Sequence, residues 1–260
     1  MPLMKTSNPA FNDQTFRQQY GGQYGGNFGG AIDASARMTL RGTVNKTGIL
    51  LLCAVASAMY TWHLFTESRD FAAVSGLLML GAIGGFILSM VTIFKQTWSP
   101  ITAPLYALCE GLFLGGISAV FEARYHGIGI QAVSLTFGTL LAMLLVYSSG
   151  IIRVTQKFAI GIAAATGGIA LFYLIQMIAG FFGVRFLMLN NSSPLSIGIS
   201  LIIVVIAALN LVLDFDFVER GVYAGAPKYM EWYGAFGIMV TLVWLYLEIL
   251  RLLAKLNDRR

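Results

Sequence analysis

Charge is scarce in this chain. Only 11% of its 260 residues are Asp, Glu, Lys or Arg, whereas soluble domains carry about a quarter. With 57% hydrophobic residues and a mean hydropathy of +0.74, there is too little polar surface to cover a water-soluble core. The composition is that of an integral membrane protein. Cysteine is almost absent. Cys53 and Cys109 fall inside apolar runs at no metal-ligand spacing, so neither a disulfide framework nor a metal cluster is expected. The two histidines, His63 and His126, stand at the edges of apolar runs and suit interfacial side chains better than metal ligands. The net charge of +5 sits at the two ends of the chain, where it reads as a topology signal rather than a nucleic-acid footprint, and no nucleic-acid partner is expected.

Motifs of catalysis are missing too. No apolar run pairs a Ser with an intramembrane His, so an embedded serine protease lacks its base. There is no HExxH for an embedded zinc protease and no nucleotide-binding loop. The last run has no lysine at its middle for a retinal Schiff base. The expectation is a protein that is not an enzyme and carries no cofactor.

What is present begins with a segment of different material. Residues 1–47 hold NPAF at 8–11 and the low-complexity run YGGQYGGNFGG at 20–30. Gly, Gln and Tyr without apolar periodicity bury too little surface to offset ordering entropy, so a disordered cytoplasmic tail is expected. The segment has no apolar core before a cleavage site, unlike a secretory signal peptide.

Seven apolar runs follow at 48–65, 71–94, 101–121, 128–152, 158–182, 195–213 and 232–253. Each approaches the roughly 20 residues that cross a hydrocarbon core of about 30 Å. The loops between most of them are short, which predicts an all-α bundle of seven transmembrane helices over 48–253, with a basic tail at 254–260. Lys5, Arg17, Arg37, Arg41 and Lys46 precede the first run, and Lys95, Arg153, Lys157, Arg220 and Lys228 lie in loops on the same side. Arg69, Arg124 and Arg185 lie opposite. The positive-inside rule therefore places the N-terminus in the cytoplasm. Arg251, Lys255, Arg259 and Arg260 dissent, and leave a re-entrant last run as the alternative to seven full spans. Gly84–Gly85, Gly111-x-x-x-Gly115 and the stretch from Gly161 to Gly168 are expected to let helix backbones approach closely.

With so little charge, acids at membrane depth carry the functional interest. The sixth run ends in NLVLDFDFVER, residues 210–220. At about 100° per residue, Asp214 and Asp216 point to different sides. Asp216 lies near Glu219 and Arg220 and has a local ion-pair partner. Asp214 shares its face with Asn210, one turn deeper, and is the better inward-facing, titratable carboxylate. The plain alternative is that Asp214, Asp216 and Glu219 mark a helix end in water. Glu110 is about nine residues into the third run, some 13–14 Å down and near the midplane. A carboxyl there must be paired, hydrated or protonated; its plain alternative is a neutral Glu bonded to a neighbouring carbonyl or hydroxyl. Glu248 stands three residues before Arg251, where a local pair is expected. Asn210, Gln176, Tyr106, Thr92 and Thr241 suit interhelical hydrogen bonds.

The pattern LNLVLDFDFVERG, followed by GAPKYMEWYGAFGIMVTLVWLYLEILRLL, resembles the Bax inhibitor-1/YccA family of membrane proteins. NPAF and the seven-run layout are similar to a bacterial branch of it. The resemblance implies a bundle whose seventh helix is held centrally by the other six, in a bacterial inner membrane. It also implies either a pH-sensitive calcium leak or a role in stress, as a modulator of a membrane protease. Leak members place one Asp near the end of the sixth span and a second in the seventh, as a proton-sensitive pair. Asp214 matches the first, with Asp216 close by. Aligning Gly234, Ala235 and Arg251 puts Thr241 where the second Asp would stand, so the pair lacks one member unless Glu110 or Glu248 replaces it.

Two expectations follow. In the first, the protein passes or senses Ca2+ or H+ across the bilayer, with Asp214 as gate or Ca2+ contact, Asp216 and Glu110 as further proton-sensing groups, and Asn210, Thr241, Glu219 and Glu248 around them. In the second, it conducts nothing and engages a membrane protease or stress complex through its N-terminal tail.

Overall fold

The first helix starts where a side chain caps it. Thr39 Oγ1 accepts the Gly42 N–H at 3.0 Å, and α1 (Leu40–Ser68) runs on from there. The computed structural model describes residues 36–182 and 193–259, and its helical body begins at Met38. After α1 come α2 (Phe71–Phe94), α3 (Ser99–Arg124), α4 (Ile128–Ser148), α5 (Gln156–Phe181), α6 (Pro194–Tyr223) and α7 (Met230–Asp258). All seven are long and apolar enough to cross a membrane. Among the described residues the fold is all-α with seven helices, and the chain is a multi-pass membrane protein. NPAF, the Tyr-Gly repeats, Arg185 and Arg260 lie outside the described residues.

Local chemistry sets most of the boundaries. Arg69 closes α1 in the left-handed region (φ 50), and Asp70 then caps α2 by accepting the Ala72 N–H at 2.9 Å. Pro100 and Pro194 occupy the first turns of α3 and α6, where no N–H is missed. Four expected boundaries shift. Residues 40–47 are helical rather than part of a tail, because the Thr39 cap and long-range bonds to α7 extend α1 beyond its apolar run. Helix α4 stops at Ser148 instead of 152, where Ser149 and Gly150 (φ 72) turn the chain. Helix α6 continues ten residues past 213, so its acids lie within the last turns of an ordered helix. Helix α7 takes up most of the supposed basic tail and reaches Asp258. It is one unbroken helix of 29 residues, about 43 Å long, without the break a re-entrant segment needs.

Helix α7 is the centre of the bundle. In its most apolar stretch 61% of residues are buried, against at most 39% in any other helix. On one flank Leu242, Leu245 and Ile249 pack with Leu211 and Phe215 of α6 and Ala132 of α4. On the other, Ala235, Phe236 and Met239 pack with Leu50 and Ala54 of α1 and Tyr106 of α3. The helices packed along α7 are therefore α1, α3, α4 and α6, four rather than six. Helix α2 lies outside against α3, and α5 lies outside against α6. Large apolar side chains such as Leu52, Met79, Phe86 and Leu145 stay exposed on the rim, as a hydrocarbon solvent permits.

The small residues divide into two kinds. A Cβ on Gly111 or Gly115 would run into the carbonyl oxygens of Ala54 and Ala58, so α1 and α3 touch backbone to backbone there. On the opposite side of α3, a Cβ on Gly81 would stand 2.6 Å from the Cys109 carbonyl oxygen. The expectation for Gly161 to Gly168 is overturned. Nothing lies within 4 Å of a Cβ placed on Gly161, Gly167 or Gly168, because α5 packs only loosely against α6.

One end of the bundle is tied by an acid that sequence reasoning passed over. Glu231, at the start of α7, is fully buried. Its Oε1 accepts the Thr39 N–H at 2.9 Å and the Thr39 hydroxyl at 2.8 Å, and ion-pairs with Lys228 at 3.0 Å. Its Oε2 pairs with Lys46 of α1. The beginnings of the first and last helices are thereby held together.

Candidate functional site

Residues separated by three or four along a helix share a face. On α7 this rule aligns Gly237, Thr241, Glu248, Arg251 and Lys255, and on α6 it aligns Asp214, Asn210 and Ser200. These two rows meet. They form a polar seam between α6 and α7, with α5 lending side chains from outside.

At one end of the seam Asp214 lies against the Thr241 hydroxyl. Its Oδ1 is 4.0 Å from where a Gly237 Cβ would stand, an ordinary van der Waals distance, so the carboxylate lies over Gly237. Asp214 Oδ2 is buried with no hydrogen-bond partner among the described residues, and no charged side chain among them bears on it. One turn along α6, Asn210 Nδ2 donates to Thr166 Oγ1 of α5 and to the Ile206 carbonyl, both at 2.8 Å. Farther along α7, Glu248 is 2% exposed. It accepts from Arg251 at 3.0 and 3.1 Å and from the Tyr173 hydroxyl of α5 at 2.8 Å. Arg251 also reaches the Tyr173 oxygen at 2.6 Å. At the far end Lys255, 6% exposed, donates to Ser196 and Ser200 of α6 at 2.8 and 2.7 Å. From Thr241 to Lys255 is 14 residues, about 21 Å of helix, which is most of a hydrocarbon core of about 30 Å.

The expected residues fall into three groups. Asp214, Thr241, Asn210 and Glu248 belong to the seam. Asp216 does not: it pairs with Arg220 on its own helix, although no donor is aligned on its Oδ2 as a hydrogen bond. Glu219 accepts from the Tyr147 hydroxyl of α4. Glu110 lies elsewhere, bonded to Tyr106 one turn back. A Cβ on Gly85 of α2 would come 2.7 Å from its Oε1, so Glu110 faces α2 rather than α7. It cannot stand in for a second acid beside Asp214. Glu248 is committed to Arg251, as its spacing predicts, and lies seven residues beyond Thr241.

Sequence reasoning missed Lys255, Arg251, Tyr173 and the two serines as members of one cluster. The available signal was helical phase: 241, 248 and 255 are heptad-spaced, which places Lys255 on the face of Thr241 and not in a solvated tail. No group of three His, Cys, Asp or Glu side chains among the described residues is arranged to hold a metal ion.

No curated protein and no solved structure matches the chain. A sequence model described as Bax inhibitor 1 like matches residues 8–258, nearly the whole length. The chain belongs to the Bax inhibitor 1 like family.

Proposed function

We propose that this protein senses protons and passes cations, calcium among them, through the α6/α7 seam, with Asp214 as the controlling carboxylate. One observation carries the proposal. Asp214 Oδ2 is buried against the central helix without a donor, in a protein where the other seam charges are bonded. A carboxylate in that position either accepts a proton or attracts a cation. Ionised, it supplies the negative charge that a hard divalent cation requires; protonated, it does not. Asp216 and Glu219 are engaged by Arg220 and Tyr147 and serve as its surroundings. Glu110 is a separate midplane acid whose contribution the same measurement isolates.

The test is calcium flux into proteoliposomes between roughly pH 5 and 8, the interval in which displaced carboxylates titrate, for wild type, Asp214→Asn and Glu110→Gln. The proposal expects a pH-dependent flux that Asp214→Asn flattens and Glu110→Gln leaves in shape. Flux equal to that of empty liposomes in all three proteins would sink it.

A second reading is favoured by a different observation. Glu248 offsets Arg251, which leaves Lys255 as the net cation of the seam's far half, and fixed positive charge opposes cation passage. A non-conducting protein that modulates a membrane protease or stress complex fits that feature. Under this reading deletion of residues 1–35, which spares the Thr39 cap and the core residue Met38, abolishes the cellular phenotype while flux stays at background.

A further inference from the structure

Helices α1 and α4 meet where the Trp62 ring lies against Gly129. Between them opens a cavity of 1010 Å3, floored by α3 and α7. Its walls include Leu51, Val55 and Met59 of α1, Val133 and Phe137 of α4, and Leu242 of α7. Along α1 it extends from Leu51 to Thr66, about 22 Å of helix, more than the roughly 15 Å of one leaflet's hydrocarbon. Three polar groups on its walls already have partners. Ser118 Oγ and the Tyr246 hydroxyl bond each other at 2.6 Å, and Thr136 donates to the Ala132 carbonyl at 2.7 Å. The groove is therefore suited to an apolar occupant along most of its length.

Its end is different. A second cavity of 420 Å3 shares Trp62 and Thr66 with the first and is lined by Arg69, His126 and Glu122. Glu122 is engaged by the backbone N–H groups of Gly127 and Gly129, at 2.5 and 3.0 Å. Of the other acids of this end, Asp70 accepts from the α2 N-terminus and Asp258 pairs with Arg124, while Glu67 is exposed to solvent 3.5 Å from His63 Nδ1. Arg69 makes no ion pair among the described residues, and His126 stands exposed beside it. A long apolar slot thus ends at a mouth where Arg69 and His126 stand beside Glu122, whose carboxylate is turned onto the Gly127 and Gly129 N–H groups.

We propose that this combined site binds one phospholipid, with an acyl chain in the α1/α4 groove and the phosphate at Arg69 and His126. Charge complementarity selects the head, because Arg presents a fork of donors matched to phosphate oxygens. The closed polar bonding of Ser118, Tyr246 and Thr136 selects the chain, because a polar occupant would find few partners there.

The test is native mass spectrometry of the full chain in detergent, titrated with phosphatidylglycerol and with diacylglycerol of the same chains, which lacks the phosphate. Wild type is expected to retain one phosphatidylglycerol and to hold diacylglycerol about tenfold less tightly, the worth of one charge-assisted hydrogen bond. Arg69→Gln is expected to remove that preference. Val133→Trp, which fills the groove from its rim, is expected to abolish retention of both lipids. Circular dichroism checks that each variant keeps its helix content, and Leu145→Trp, on the exposed face of α4 away from the groove, is the control for a bulky rim substitution. Equal retention of the two lipids by wild type overturns the head site. Undiminished retention in Val133→Trp overturns the groove. If Leu145→Trp loses lipid as fully as Val133→Trp, the lipid is only part of the annulus and the proposal fails.

Discussion

Asp214 and Thr241 face each other where α6 crosses the central helix, the carboxylate against the hydroxyl. The α7 side chain that meets this buried carboxylate is thus uncharged. Thr241→Asp should create an acid pair. Two carboxylates in such contact cannot both ionise freely and titrate as a unit. The flux-versus-pH profile of Thr241→Asp proteoliposomes is expected to gain a second step that wild type lacks. An unchanged profile would show that position 241 does not meet the controlling acid.

The Glu231 latch predicts where stability resides. Glu231→Gln keeps the Thr39 contacts but loses the charge that draws Lys46 and Lys228. Lys228 is half exposed and its share is small. The Lys46 bond is mostly shielded, so the loss should be about 2–3 kcal/mol. Thermal denaturation in detergent measures it. Lys228→Gln should leave the melting temperature nearly unchanged, and an equal drop in both variants would contradict the ranking.

Two glycine substitutions should act with opposite sign. Gly115→Ala puts a methyl group into the Ala58 carbonyl of α1 and must push two helices apart, lowering the melting temperature. Gly168→Ala meets nothing and removes the conformational freedom of a mid-helix glycine, a gain of about 0.5–1 kcal/mol. Both residues are Gly in an apolar run. If Gly168→Ala destabilises the protein as much as Gly115→Ala, α5 is packed more closely than its surroundings indicate.

That contrast shows how far the amino-acid pattern carried. Seven helices were legible because hydropathy and length are local properties that a bilayer reads directly. The local pairs Asp216–Arg220 and Glu248–Arg251 were legible for the same reason, being set by helical spacing. The start of α1 at Leu40 was not, because residues 40–47 include Arg41, Asn45 and Lys46 and are held by Glu231, 185 positions from Lys46. Nor could the two glycine groups be told apart, since packing depends on which helix lies opposite. Lys255 looked like tail because lysines near chain ends usually are; its helical phase hinted otherwise, and the place of Ser196 and Ser200 on α6 shows what buries it.

Outside the membrane-spanning segments, Tyr125 offers a pH test. Its hydroxyl donates to Asp258 at the end of α7, and that bond to a carboxylate holds the phenol above its ordinary range. The sign follows. A phenol whose folded value is raised contributes its stabilisation at lower pH and loses it as pH rises through the folded value, above about 10. The end of α7 should therefore loosen in strong alkali. Hydrogen exchange at residues 254–258 is expected to accelerate there in wild type. In Tyr125→Phe it should already be faster at neutral pH, without the alkaline step.

Lys255 decides between the two functional proposals. Its ammonium is buried on the face of α7 that leads from Asp214, bonded to two hydroxyls and, among the described residues, to no carboxylate. For a cation moving along the seam, a unit charge at about 4 Å raises the energy by roughly 4 kcal/mol at an effective dielectric constant near 20, and twice that for a divalent ion. Lys255→Gln keeps an amide donor for Ser196 or Ser200 and removes the charge. If cations use this route, calcium flux in Lys255→Gln proteoliposomes should rise at least tenfold, and adding Asp214→Asn should suppress the increase. If flux responds to Asp214→Asn but not to Lys255→Gln, the path leaves the seam before its far end. If neither substitution moves flux from background, conduction is excluded and the buried lysine is a structural bolt between α6 and α7, as a non-conducting modulator requires.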